Sequence, residues 1–171
     1  TGGSLGARTI NLSILKKITK LLENNIQVIW QTGQYYFESI KEEVQKQNIS
    51  NSNLSIQPFI NRMDLAFKAA DLVVSRAGAL TISELALLKK PAILVPSPNV
   101  AEDHQTKNAL SLTSINAAIL IKDVDAEQKI VDCVIETLNN QNVLNQLSEN
   151  IAKYAKPNAA EDIVLILSKL L

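Results

Sequence analysis

Apolar side chains recur at helical spacing near the start of the chain, where Ile10, Ile14, Leu15, Ile18, Leu21 and Leu22 share one face of residues 7–23; the spacing predicts an amphipathic helix. The period then changes. Gln27-Val28-Ile29-Trp30-Gln31-Thr32-Gly33 is rich in β-formers and closes on glycine, which predicts a strand. Residues 36–47 read as a helix with Lys41, Glu42, Glu43 and Lys46 on its wet side, and Leu54-Ser55-Ile56-Gln57-Pro58-Phe59 as a short strand. Onward the pattern predicts a helix over 63–70, a strand over 72–74, a helix over 80–88, a strand over 92–95 between two prolines, a helix over 105–112 and a strand over 118–121. Helices over 126–139, 142–155 and 159–171 complete the chain, and the polar residues 48–53 form a surface loop. The strands over 72–74 and 92–95 are apolar on both faces, the mark of a parallel sheet covered by helices on each side. Strict alternation of strand and helix makes the expected fold α/β, a doubly wound parallel sheet of Rossmann-like type forming a single domain over residues 1–171.

In such sheets ligands sit beyond the carboxyl ends of the strands, where strand-to-helix turns lie. Two of those turns stand out. Gly2-Gly3-Ser4-Leu5-Gly6 opens the first helix, and Ser75-Arg76-Ala77-Gly78-Ala79-Leu80-Thr81-Ile82-Ser83-Glu84 runs from a strand into another. Helix-start amides converging on a glycine turn are suited to a phosphate or diphosphate, so an anionic nucleotide is expected. The dinucleotide fingerprint is incomplete, because Thr1 stands where its first glycine belongs and the following strand ends Trp30-Gln31-Thr32-Gly33 without the carboxylate that takes ribose. A P-loop is absent as well.

Composition narrows the classes further. Lys plus Arg equals Asp plus Glu at 17 each in 171 residues, so no overall field draws the chain to nucleic acid or to an acidic membrane surface. One cysteine, Cys133, excludes an internal disulfide framework and reads as a buried structural thiol in a cytoplasmic setting. No metal-ligand cluster and no cofactor are expected, and the apolar runs are too short for a membrane span. The opening Thr1-Gly2-Gly3 reads as the tail of a strand entering a helix, so the expectation is a fragment whose first strand lies elsewhere.

Taken in order, Gly2-Gly3-Ser4-Leu5-Gly6-Ala7-Arg8 with Asn11, Gln31-Thr32-Gly33, Pro58-Phe59-Ile60 ahead of Met63, the Ala70 to Glu84 stretch, Pro91-Ala92-Ile93-Leu94-Val95-Pro96 and His104-Gln105-x-x-Asn108-Ala109 resemble the C-terminal half of the MurG family. Those enzymes transfer N-acetylglucosamine to the lipid-linked muramyl-pentapeptide precursor of peptidoglycan. The resemblance implies a two-domain GT-B glycosyltransferase in which a chain like this one binds UDP-N-acetylglucosamine and an N-terminal half binds the lipid acceptor. It implies that Ser4, Gly6 and their loop meet the diphosphate together with Gly78, Ala79, Leu80 and Thr81. Phe59 and the backbone of Ile60 would flank uracil, Glu84 would accept the ribose hydroxyls, His104 and Gln105 would reach the sugar, and Asn108 would brace that loop. His104 stands where many relatives carry glutamine, and Leu5 where a polar residue is common. The implied chemistry is metal-free displacement at the anomeric carbon with inversion. Its general base would lie in the other half, as would the peripheral contact with the cytoplasmic face of the inner membrane, so the isolated chain is expected to be inactive.

Read from the residues alone, each of these positions keeps a second reading. Glu84 is also a carboxylate near a helix start, His104 a helix-leading surface residue, Phe59 a core side chain, and Gly6 and Gly78 turn formers. Arg76 reads either as a phosphate clamp or as a solvent-facing salt bridge; Trp30 and Met63 read as core. At the level of function the alternatives are a donor-binding subunit of a split glycosyltransferase, a nucleotide-sugar epimerase of the same fold, and a non-catalytic nucleotide-binding module.

Overall fold

The computed structural model describes residues 1–49, 52–99 and 103–169. Its elements alternate as α1 (Arg8–Glu23), β1 (Val28–Gln31), α2 (Phe37–Lys46), β2 (Leu54–Gln57), α3 (Met63–Ala69), β3 (Val73–Ser75), α4 (Ala79–Leu87), β4 (Ala92–Leu94), α5 (His104–Thr113) and β5 (Ile119–Leu120), then α6 (Ala126–Leu138), α7 (Gln141–Ala152) and α8 (Ala159–Ser168). Every expected helix and strand is present. Residues 50 and 51 of the expected loop, and 170 and 171 of the expected last helix, lie outside the described residues.

All strand pairing is parallel, β1 with β2 and β3 with β4 with β5. The pairing falls into two sheets rather than one continuous ladder, because β1 and β3 share no backbone bond. The opening residues stand between them: the Thr1 nitrogen donates to Val74 O in β3 at 2.7 Å, and the Gln31 amide at the end of β1 donates to Thr1 Oγ1 at 3.1 Å.

Alternation along β4 shows why the strand had to be apolar on both faces. Ile93 and Val95 enter a core with Ile10, Ile18 and Leu21 of α1, Trp30, Ile40 of α2, and Ile130 and Val131 of α6. Ala92 and Leu94 enter a second core with Phe67, Val73, Leu85 and Ala86 of α4, Leu112 of α5 and Ile151 of α7. Helices thus cover both faces, the doubly wound arrangement. Full burial of an Ile or Leu is worth about 1.5–3 kcal/mol, so β4 anchors both layers.

The first helix departs from the expected smooth rod. Lys17 has φ −126° and ψ 20°, and around this break Lys17 and Lys20 pair with Asp132 of α6 while Lys16 pairs with Glu127. Trp30 is core, as read from the sequence, and its indole donates to the buried Asn11 Oδ1 at 3.0 Å. Asn11 in turn donates to Thr32 O at 2.8 Å, which pins α1 to the exit of β1. Met63 and Cys133 are half-buried. Partial burial pushes the Cys133 thiol above its ordinary pKa, opposed by its contact with Thr137. Along α8 no residue is buried, and Ile163 to Leu167 are each more than half exposed. No helix among the described residues is long and apolar enough to cross a membrane.

Candidate functional site

The glycine-rich turn at the start of the chain is locked against the exit of β1 by backbone contact. Gly6 has φ +82° and Gly33 φ +81°, a region side chains resist, and a Cβ on Gly6 would lie 2.1 Å from Thr32 O, one on Gly33 2.4 Å from Gly6 N. Glycine is required at both. Gly78 differs, with φ −70° and ψ 144°, a conformation open to any residue. A Cβ there would meet only Thr81 Oγ1 at 3.9 Å. What Gly78 contributes is open space at the head of α4, not a special turn.

Helix starts gather at this end of the sheets. Most helices here carry an acidic residue in the first turn or, in α7, a capping Asn140. Helices α1, α4 and α5 have neither. The first turns of α1 and α4 thus add no carboxylate of their own to the amides that face outward, which favours receiving an anion.

Gln31, 2 % exposed, holds two loops together. Its Nε2 donates to Gly3 O at 2.9 Å, and its Oε1 accepts from Ile60 N at 2.8 Å. The N–H of Ile60 is thus engaged inside the protein, and its carbonyl is the backbone group left to meet a base. Phe59 beside it is 51 % exposed, so it is not the core side chain that its apolarity allowed. Ser4 is exposed, as are Leu5 and Leu80.

Arg76 belongs to an ion pair, but not a solvent-facing one. Its Nη1 donates to Asp123 Oδ1 at 2.5 Å and to Val95 O and Pro96 O at 3.0 Å each; the two side chains are only 16 % and 18 % exposed. Thr9 Oγ1 donates to the other carboxylate oxygen of Asp123 at 2.9 Å. Asn108 donates to Ala77 O at 3.1 Å, bracing the turn before α4, and Gln105 Oε1 accepts from Ser97 N at 2.9 Å. His104 opens α5 at the surface, next to residues 100–102, which lie outside the description. Glu84 lies exposed on α4, and among the described residues its carboxylate makes no ion pair.

Gln31, Thr9 and Asp123 were not picked out for a role from sequence. Gln31 had a legible signal, a polar residue ending an apolar strand, whereas Asp123 and Thr9 meet only in three dimensions. The chain carries an Asp-x-Asp pattern at Asp123-Val124-Asp125, a spacing that can serve a metal. Asp123 is held by Arg76 and Thr9, and Asp125 pairs with Lys129. Among the described residues no cluster of His, Cys, Asp and Glu is arranged to hold a metal.

Comparison with known proteins fits this geometry. The chain is 52 % identical over 170 residues to the UDP-N-acetylglucosamine–N-acetylmuramyl-(pentapeptide) pyrophosphoryl-undecaprenol N-acetylglucosamine transferase of Bacteroides thetaiotaomicron, covering 99 % of this chain and 45 % of that protein. It is 50 % identical over 163 residues to the transferase of the same name from Cytophaga hutchinsonii, covering 95 % of this chain and 42 % of that one. The crystal structure of Acinetobacter baumannii MurG superposes with a TM-score of 0.79 at 32 % identity, over 99 % of this chain and 48 % of that one. The chain thus spans less than half the length of these relatives. The profile of the glycosyltransferase family 28 C-terminal domain matches residues 1–163. With the parallel α/β layers and the ring of loops at the strand ends, that match shows that this chain belongs to the glycosyltransferase family 28 C-terminal domain family.

Proposed function

We propose that this chain is the donor-binding half of an inverting transferase that takes N-acetylglucosamine from UDP-N-acetylglucosamine to the lipid-linked muramyl-pentapeptide precursor of peptidoglycan. The observation that carries the reading is the pair of helix starts, α1 and α4, at the same end of the sheets, neither with a side-chain cap or an acidic residue in its own first turn. Relatives that match nearly all of this chain bear that transferase name. In this reading the amides around Ser4, Gly6 and Gly78 to Thr81 receive the diphosphate, and the open space at Gly78 lets its oxygens approach α4. Phe59 and the Ile60 carbonyl flank uracil; an acceptor there matches the N3–H of uracil and opposes cytosine, whose N3 is itself an acceptor. Glu84 takes the ribose hydroxyls. Gln105 and His104 approach the sugar, and Asn108 holds the turn that carries Gly78.

As the acceptor hydroxyl attacks the anomeric carbon, the glycosidic C–O bond breaks and negative charge grows on departing UDP. Two helix starts fixed in advance stabilise that charge without reorganising. The base that removes the acceptor proton, the lipid site and any peripheral membrane contact belong to a second half.

Calorimetric titration with UDP-N-acetylglucosamine, UDP and NAD tests the proposal. The expected result is uridine-selective binding that Glu84→Ala weakens by about 1.5 kcal/mol or more, the worth of a charged hydrogen bond. Binding indifferent to Glu84, or none, would sink it.

A further inference from the structure

Helix α1 leads into the β1–β2 sheet and α4 follows β3. A compact polar chain links the starts of these two helices. Thr9 in the first turn of α1 donates to Asp123 Oδ2 at 2.9 Å, Asp123 Oδ1 accepts from Arg76 Nη1 at 2.5 Å, and the same Nη1 reaches Val95 O and Pro96 O at the exit of β4. Arg76 lies two residues before Gly78, at the head of α4. Both carboxylate oxygens of Asp123 are used, one toward each helix start, and both charged side chains are more than four-fifths shielded from water.

We infer that Thr9, Asp123 and Arg76 form a strut that sets the spacing between the α1 and α4 helix starts, and that these three act as positioning residues for a diphosphate held between them. The inference rests on the donor-binding reading above and extends it to residues that touch no ligand in that reading. A diphosphate has a fixed span, and its two phosphoryl groups can each face one helix start only when that separation is right. The nucleoside lies by Phe59 and Ile60, which are tied to the glycine turn through Gln31 and not through the strut. Breaking the strut is therefore felt by phosphate and not by uridine.

The sign of one substitution separates positioning from simple charge. Asp123→Asn removes a negative charge near the anion site, so Coulomb attraction alone would tighten UDP binding. Loss of the strut loosens it. Thr9→Val cuts the other link with no change in charge, and Thr9→Ser restores the hydroxyl. The experiment titrates the wild-type chain and these three variants with uridine, UMP and UDP, with thermal unfolding in parallel. Expected are a UDP Kd raised about tenfold in Asp123→Asn and severalfold in Thr9→Val, an unchanged uridine Kd, and near wild-type binding in Thr9→Ser; tenfold corresponds to about 1.4 kcal/mol. Equal or tighter UDP binding by Asp123→Asn, or parallel losses for uridine and UDP, would overturn the strut. If Asp123→Asn does not fold, the Thr9→Val and Thr9→Ser pair decides alone. Absence of UDP binding by the wild-type chain would instead remove the donor reading, and the strut with it.

Discussion

Gly78 and Gly6 look alike in the sequence and act through different physics. Gly6 and Gly33 satisfy backbone demands that another residue would meet with strain and collision. At Gly78 the φ of −70° and the empty surroundings leave room for a methyl group. Gly78→Ala is therefore expected to fold with a stability within about 1 kcal/mol of the parent, while UDP affinity falls about tenfold as the methyl occupies the approach to α4. Calorimetry beside thermal melting checks both halves; a variant that melts early or binds UDP normally contradicts this account of the glycine. Residue roles were only partly legible in the chain. Phe59 had to be seen half exposed before its core reading fell, and Arg76 had to be seen folded onto Asp123 before its two readings separated. Such outcomes depend on side chains distant in sequence, to which no local pattern is sensitive.

Among the elements, periodicity was a sufficient guide to helices and strands, since 3.6-residue and two-residue spacings are imposed by the backbone itself. It could not register the break at Lys17, where the ion-pair partner lies across the interface on α6. There Asp132 accepts from Lys20 at 2.5 Å and Lys17 at 3.1 Å, and these bonds hold its carboxyl below the usual aspartate pKa. A depressed folded-state pKa contributes stability that is complete above the unfolded value, near 3.9, and is lost as pH falls through the folded one. Asp132→Asn should therefore cost a small, salt-sensitive amount at pH 7, within about 1 kcal/mol for so exposed a group. The difference from wild type should vanish in acid. Denaturant melts at pH 7 and pH 3, each at low and high salt, test this, and a penalty unchanged at pH 3 would refute it. Periodicity was silent, too, on which strands pair: backbone hydrogen bonds, not hydrophobicity, set β1 beside β2 and β4 between β3 and β5.

At the scale of the whole molecule, two helix layers enclose a central strand, β4, that is buried on both faces and laddered on both sides. The division between sheets runs beside that rigid centre. On one side lie the glycine turn and the Phe59–Ile60 loop, tied through Gly33 and Gln31; on the other lies the head of α4. Backbone amides should accordingly exchange with deuterium in two cooperative groups, with β4 the slowest of all. A nucleotide diphosphate bound as proposed would straddle the seam, its base on one bank and part of its phosphate on the other. Such a ligand acts as a clasp: adding UDP should slow exchange in β1–β2 and in β3–α4 together, whereas uridine should protect only the first.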